Sequence, residues 1–277
     1  MSVEFEDPSP SWAYRLFRWL VFKVGDSRWI GWRHFPFVAT WAVDEHDIDL
    51  NEVILDAIPR LLPGDVLLHR DRGFLSNLAI GGAMVHAALY IGNGQVVEAI
   101  SEGVIRRHAA HILHSDRAMI VRPRFEGPET HERAVAEALV WAERIVGFPY
   151  DPLFRFQCKQ QRELIAEKGP ERAVRRQVRF CCTKVPYFCY LDYVEALDLR
   201  RRRAVTPLHM VLSWIGLHPG RTVVDADMYV RGNFDIVWAS RGTTVPWARR
   251  RGARGDYLQK LEAYWAREAT QSSLPPA

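Results

Sequence analysis

Four short apolar runs, rich in β-branched residues, constrain the fold of this chain most strongly. They occupy residues 66–69, 85–91, 96–100 and 119–121, and Gly-rich or charged segments separate them. Runs of this length and composition are typical of buried β-strands. Asn93-Gly94 lies between the second and third runs, and both residue types accept the positive φ that a two-residue hairpin turn requires. The pattern predicts an antiparallel sheet in the middle of the chain.

Stretches with helical spacing of apolar residues flank these runs. They predict helices at residues 11–24, 50–62, 129–146, 183–199 and 257–269, and a charged segment at 159–179 that is a helix or an exposed lid. The predicted fold class is therefore α+β, a small antiparallel sheet flanked by helices. We expect an N-terminal helical extension at 1–58, a main domain at 59–245, and a C-terminal basic segment and helix at 246–277.

Composition narrows the possible functions. With 48% hydrophobic and 25% charged residues among 277, the chain can bury a sizeable core. No stretch reaches the roughly 18 to 20 apolar residues of a membrane span. The N-terminus begins with acidic residues rather than the basic start of a secretory signal. Two of the four cysteines are adjacent, which favours reduced thiols over a disulfide framework. We expect a cytoplasmic protein.

Two further features bear on partners. The predicted helix 11–24 mixes aromatic with basic residues, as a helix lying on a membrane surface does, although a helix packed against the main domain has the same composition. The arginine runs 200–203 and 249–251 either contact phosphates or form a solvated surface. Because no recognisable nucleic-acid-binding module accompanies them, a nucleic-acid partner is not expected.

Cys182 is the first candidate for chemistry. It follows a short extended run at 178–181 and precedes the predicted helix 183–199, whose positive end favours thiolate over thiol. Pro186 fits the first turn of such a helix. A small buried cysteine in the core is the alternative interpretation. The neighbouring Cys181 leaves the assignment of a nucleophile ambiguous by one position.

His86 lies in an otherwise apolar predicted strand and is either a core histidine or a catalytic base. Glu98 lies on the next strand of the predicted hairpin. If Asn93-Gly94 forms a strict two-residue turn, His86 pairs with residue 101 and Glu98 falls on the other face. If the turn is centred on Gly92, His86 and Glu98 lie directly opposite, and the carboxylate can support the protonated imidazole. Spacing alone leaves both registers open.

Residues 61–192 resemble the YiiX/YebB-like group of circularly permuted NlpC-type cysteine peptidases, relatives of lecithin retinol acyltransferase. The matching segments, in order, are LPGDVLL at 62–68, HAALYIG at 86–92, VVEA at 96–99, VRP at 121–123, GFPYD at 147–151 and CTKV at 182–185. The resemblance implies a permuted papain-like fold in which the histidine precedes the cysteine. It also implies a triad of Cys182, His86 and Glu98.

The same resemblance implies an acyl-enzyme mechanism without a cofactor. The substrate is expected to be a peptide, another amide or a lipid acyl group. Asp65, Tyr150 and Thr183 are carried over as motif or cleft members. The family's cysteine motif usually continues Ser-Glu, whereas this chain has Thr183-Lys184. That departure keeps a non-catalytic binding module open as an alternative.

A histidine repeat, His108-x-x-His111-x-x-His114, is the other candidate site. On a helix the third histidine drifts away from the first two, and no cysteine or carboxylate completes a zinc-like spacing. We expect a surface segment here and no bound metal.

Overall fold

The computed structural model describes residues 46–71, 82–152, 157–175, 178–199 and 225–272, together with strands at 28–32 and 35–39 and the single residues Leu16 and Trp19. Within this part of the chain the class is α+β, as predicted. A six-stranded antiparallel sheet lies between helices.

The strands, in chain order, are β1 (Arg28–Trp32), β2 (Phe35–Ala39), β3 (Val66–Arg70), β4 (His86–Gly92), β5 (Gln95–Ile100), β6 (Gly103–His108), β7 (Arg117–Pro123) and β8 (Phe234–Ala239). β1 and β2 form a separate hairpin, and the others form one sheet in the order β6-β5-β4-β3-β7-β8. All four predicted runs are strands. β6 and β8 were not predicted, and β6 is an edge strand whose last three residues are exposed, so no apolar alternation marks it.

The helices are α1 (Leu50–Glu52), α2 (Ala110–Leu113), α3 (Pro128–Ile145), α4 (Cys158–Arg175), α5 (Lys184–Cys189), α6 (Asp227–Arg231), α7 (Val245–Arg250) and α8 (Asp256–Ser272). α1 continues through a π turn and a 3-10 turn as far as Arg60, with Pro59 inside the 3-10 turn. The predicted helices at 50–62, 129–146 and 257–269 are confirmed. The charged segment predicted at 159–179 is helical as far as Arg175, with a break at Gly169.

Two helix predictions need correction. The helix predicted at 183–199 ends at Cys189, and a 3-10 turn at Leu191–Tyr193 follows. The chain turns there because Leu197 and Leu199 pack into the same core as the helix. The N-terminal extension is not helical throughout, since β1 and β2 form a hairpin within it. Of the predicted helix 11–24, only Leu16 and Trp19 are described. Both are helical, with 47% and 57% of their surface exposed.

The sheet buries both faces. One face packs against α3, α5, α6 and α8, and Val185, Phe188, Tyr229 and Leu261 supply part of this larger core. The other face packs against the α1 segment and α2. Alternate residues of β3, β4 and β5 therefore enter different cores, as the two-residue period of a strand requires. The predicted domain boundaries stay predictions, and the α1 segment and α8 both pack against the central sheet. Within the described residues no helix is long and apolar enough to cross a bilayer.

Asp65 joins the α1 segment to the sheet. Its carboxylate accepts a hydrogen bond from the backbone N–H of Leu62 at 2.8 Å and two from the guanidinium of Arg122 on β7, each at 2.8 Å. Arg122 also donates to the carbonyl of Arg60 at 2.7 Å. The buried carboxylate thus fixes the turn that precedes β3.

Replacing Asp65 with Asn should destabilise the fold because the buried side chain loses its charge and at least one of these bonds. We expect the free energy of unfolding to fall by about 1–3 kcal/mol. Denaturant unfolding measures this change. Asp235→Asn is the matched control, because Asp235 pairs with Arg124 at 3.7 Å at an exposed site, where a pair contributes at most about 1 kcal/mol. Equal losses in the two variants would contradict the structural role of Asp65.

Candidate active site

A β-bulge in the β4–β5 hairpin sets the position of the candidate base. The turn at Asn93-Gly94 forms with positive φ at both residues, 52° and 72°, and pairs Gly92 with Gln95. The register then shifts by one residue immediately before Gly92, so that Leu89 pairs with Val97. A bulge places two residues of one strand against one of the other and therefore changes which side chains meet.

Neither register considered from the sequence is the one observed. Continuing the pairing beyond Leu89 and Val97 places Glu98 opposite residue 88, so His86 and Glu98 are diagonal neighbours on the same face. Nε2 of His86 lies 2.7 Å from Oε2 of Glu98. The two side chains predicted to form part of the site are therefore in direct hydrogen-bonding contact.

The segment that carries Cys182 is held beside the chain at 149–151. Phe180 forms an isolated parallel bridge with Tyr150, donating its N–H to the carbonyl of Pro149 at 3.0 Å and accepting from the N–H of Asp151 at 2.9 Å. Tyr150 packs against the large core. This pairing brings Cys182, two residues further on, to the start of β4.

The sulfur of Cys182 meets β4 where His86 begins it. It lies 3.9 Å from the carbonyl oxygen of Val85, the residue before His86, and its interaction with the imidazole of His86 lowers the pKa of the thiol. The backbone N–H groups of Thr183 and Ala87 lower the same pKa. Since Nε2 of His86 is engaged by Glu98, Nδ1 is the ring nitrogen left to exchange a proton with the thiol.

The two reacting groups have opposite pKa shifts. Burial alone lowers the pKa of His86, but the charge and hydrogen bond of Cys182, and then those of Glu98, raise it to about 10. Burial raises the pKa of the Cys182 thiol, but His86 and the two N–H groups outweigh burial and hold that pKa below the ordinary 9.0. The imidazole is therefore protonated near neutral pH, and the lowered pKa of the thiol favours a thiolate beside it.

Glu98 is ionised at the same pH. Only 1% of its side chain is exposed, and burial raises its pKa. The hydrogen bond and charge of His86, together with Arg107, more than compensate, so the pKa of Glu98 lies below its ordinary value. Arg107, on β6, places its guanidinium 3.6 Å from Oε1 of Glu98, the oxygen that faces away from His86.

Cys181 differs from its neighbour. Its sulfur is buried 3.9 Å from the hydroxyl oxygen of Thr183. Burial and the charge of Cys182 raise its pKa to about 12, so it stays a neutral thiol. All four cysteines of the chain are free thiols. Asp65 is the other residue carried over from the resemblance. It lies directly before β3, whereas the residue of β3 that faces His86 is His69, near the other end of the strand.

Three residues near the site were not identified from the sequence. His69 on β3 lies directly opposite His86, with ring centroids 4.7 Å apart, and burial lowers its pKa to about 4. Its position in the first apolar run could have identified it, because a residue on the neighbouring strand faces each residue of that run. Asp227 and Tyr229 on α6 contact the segments before His86 and after Cys182. Nothing in the local sequence marks them, since both contacts are long-range.

The histidine repeat does not lie on one helix. His108 ends β6, His111 belongs to the four-residue α2, and His114 follows that helix and packs against His46 with ring centroids 4.8 Å apart. A search of the described residues finds no group of three or more His, Cys, Asp or Glu arranged to hold a metal ion.

Comparisons with known proteins yield one distant likeness. No protein-family model and no curated protein matches the chain. Among solved structures, the chain is similar to one described as the crystal structure of metalloprotein yiiX from Escherichia coli O157:H7. The TM-score is 0.45 and the sequence identity 16%, over 65% of this chain and 97% of that one.

Replacing Glu98 with Gln tests how far the carboxylate supports the pair. The change keeps the size of the side chain but removes the charge that raises the pKa of His86. We expect the pKa of Cys182 to rise as a result, moving the pH midpoint of its alkylation by iodoacetamide upward by about one pH unit. Glu102→Gln, at an exposed residue bonded to Ser101, is the control. Identical profiles for the two variants would contradict this role of Glu98.

Proposed function

We propose that the protein is a cysteine hydrolase in which Cys182 is the nucleophile, His86 the general base and acid, and Glu98 the residue that orients His86. The observation that carries the proposal is the placement of the Cys182 sulfur beside His86, 3.9 Å from the carbonyl oxygen of the preceding Val85, together with the lowered pKa of the thiol and the raised pKa of the imidazole. A cysteine packed only as a small apolar residue has no need of such a partner.

The reaction follows from this arrangement. The Cys182 thiolate attacks the carbonyl carbon of an amide, peptide or ester, and the C–S bond forms as the carbonyl π electrons move to oxygen. When the tetrahedral intermediate collapses, the C–N or C–O bond breaks, and the leaving group takes the proton of the His86 imidazolium. Neutral His86 then accepts a proton from water as the water attacks the thioester. Collapse releases the acid and restores the thiolate–imidazolium pair.

The oxyanion formed in both steps needs hydrogen-bond donors. We assign the backbone N–H of Cys182 as one donor, because it precedes α5 and belongs to the same residue as the attacking sulfur. Glu98 holds the tautomer of His86 through Nε2 and stabilises its positive charge, as a third triad member does in other hydrolases.

The chain order of the site supports a permuted papain-like arrangement. His86 lies on a central strand of an antiparallel sheet, and Cys182 follows much later, immediately before a short helix that packs against that sheet. The site consists of one nucleophile, one base and one carboxylate, a set sufficient for acyl transfer without a cofactor.

The proposal has two forms, which differ in the acyl group of the substrate. Peptide or other amide substrates are the first. Lipid acyl groups are the second, and the exposed Leu16 and Trp19 are the described residues that favour it, because an aromatic and apolar surface suits a lipid interface. The proposed peripheral membrane contact through residues 11–24 belongs to this second form, whereas a cytoplasmic location is proposed for both.

Replacing Cys182 with Ala should abolish labelling by an acyl-type activity probe, because the attacking sulfur is gone. Cys181→Ala is the matched control. It removes the neighbouring thiol, whose pKa of about 12 leaves it protonated, so labelling should persist. Intact labelling of Cys182→Ala, or loss of labelling only in Cys181→Ala, would contradict the assignment of Cys182 as the nucleophile.

The pH profile of acylation should have two limbs. Activity requires Cys182 as thiolate and His86 as imidazolium. It should therefore rise as pH passes the lowered pKa of Cys182, which lies below 9.0, and fall as His86 loses its proton near pH 10. Single-turnover acylation of the probe between about pH 4 and 11 measures both limbs. A rate that climbs only above pH 9 would indicate an ordinary thiol and no ion pair.

A further inference from the structure

One short helix, α6 (Asp227–Arg231), touches both segments that carry the candidate dyad. The carboxylate of Asp227 accepts hydrogen bonds from the backbone N–H groups of Ala83 at 2.7 Å and Met84 at 2.8 Å. Each of the two carboxylate oxygens accepts one of these hydrogen bonds, and the side chain is buried. These bonds fix the chain immediately before β4, two residues ahead of His86.

Tyr229, on the same helix, holds the other segment. Its hydroxyl donates a hydrogen bond of 2.7 Å to the carbonyl oxygen of Thr183. Thr183 follows Cys182 directly, and its own N–H lowers the pKa of the Cys182 thiol. Burial raises the pKa of Tyr229 well above its ordinary value, so the hydroxyl keeps the proton that it donates.

The helix itself is anchored in the large core. Met228, Tyr229 and Val230 are buried there together with Tyr257 and Leu261 of α8. A side chain that is locked by packing can hold a backbone atom in place, because its own rotamer has little freedom. The two bonds therefore connect one rigid element to two segments about a hundred residues apart in the chain, whose relative position decides whether a thiolate–imidazolium pair forms.

We propose that Asp227 and Tyr229 are positioning residues, which set the relative placement of Cys182 and His86 from a single helix. This inference rests on the proposed function, since it gives α6 a part in the same site. Neither side chain contacts the reacting atoms, and each acts through the backbone of a neighbour.

The chain offers a matched control for Tyr229. Tyr190 is also fully buried, and its hydroxyl donates a 2.8 Å bond to the carbonyl of Gly64, beside the turn before β3. Tyr229→Phe and Tyr190→Phe therefore remove the same kind of bond, one beside the candidate dyad and one at the opposite end of β3. Asp227→Asn tests the contact made by Asp227. The asparagine side chain has one oxygen in place of two, so its NH2 group faces one of the two backbone N–H donors and cannot accept that hydrogen bond.

The experiment compares the pH dependence of Cys182 alkylation by iodoacetamide in the full-length wild type and the three variants. Peptide mapping identifies the alkylated cysteine, and thermal melts report the fold. We expect the melting temperature to fall to a similar extent in the two tyrosine variants. The pH midpoint of Cys182 alkylation should rise by about one pH unit in Tyr229→Phe and in Asp227→Asn, because a loosened pair raises the pKa of the thiol. Tyr190→Phe should keep the wild-type profile.

The outcomes separate this inference from the proposed function. If the wild type alkylates with a depressed midpoint, and Tyr229→Phe and Asp227→Asn share that midpoint, α6 has no positioning role and the hydrolase proposal stands. If the wild-type Cys182 titrates as an ordinary thiol, both proposals fail. Should one of the two α6 variants not fold, the other decides the question. A shifted profile in Tyr190→Phe as large as that in Tyr229→Phe would reduce the effect to lost stability and overturn the inference.

Discussion

The proposed thiolate–imidazolium pair of Cys182 and His86, in a mostly buried place, is the interaction on which the candidate site depends. Two isolated charges there would be costly, because each loses its hydration. The structure compensates with partners on every side. Glu98 hydrogen-bonds with His86, the N–H groups of Thr183 and Ala87 lower the pKa of the thiol, and Arg107 faces the far oxygen of Glu98. His69 lies against His86 without adding charge, since its pKa of about 4 keeps it neutral.

The sequence predicted which residues form this pair more accurately than it predicted how they are arranged. The strand that carries His86, the turn at Asn93-Gly94 and the position of Cys182 after an extended segment all follow from local patterns. The bulge before Gly92 does not. A one-residue shift leaves composition and periodicity almost unchanged, yet it decides whether Glu98 shares a face with His86. Both registers considered from the sequence were wrong because each assumed that the pairing is regular.

Features that depend on contacts between distant parts of the chain were not predicted, for a related reason. β8 pairs with β7 across more than a hundred residues, and β6 is an edge strand with exposed basic residues, so neither has a strong local signature. The helix after Cys182 is short because the chain must turn back into the core, which helical spacing does not reveal. Asp227 and Tyr229 act through backbone atoms distant in sequence. A pattern of residue types along the chain carries no information about such contacts.

Lys184 shows how a departure from a motif can be accommodated. From the sequence, a lysine where the resembled family has glutamate weakened the case for catalysis. In the structure Lys184 is fully buried, donates to the carbonyl of Arg179 at 2.6 Å and lies over the ring of Phe180 at 4.8 Å. A buried ammonium is tolerated only where acceptors and a π face replace water. Arg179 and Phe180 precede Cys182 by three and two residues, so the lysine stabilises the segment that presents the proposed nucleophile. The substitution changes how that segment is held and leaves Cys182 and His86 in place.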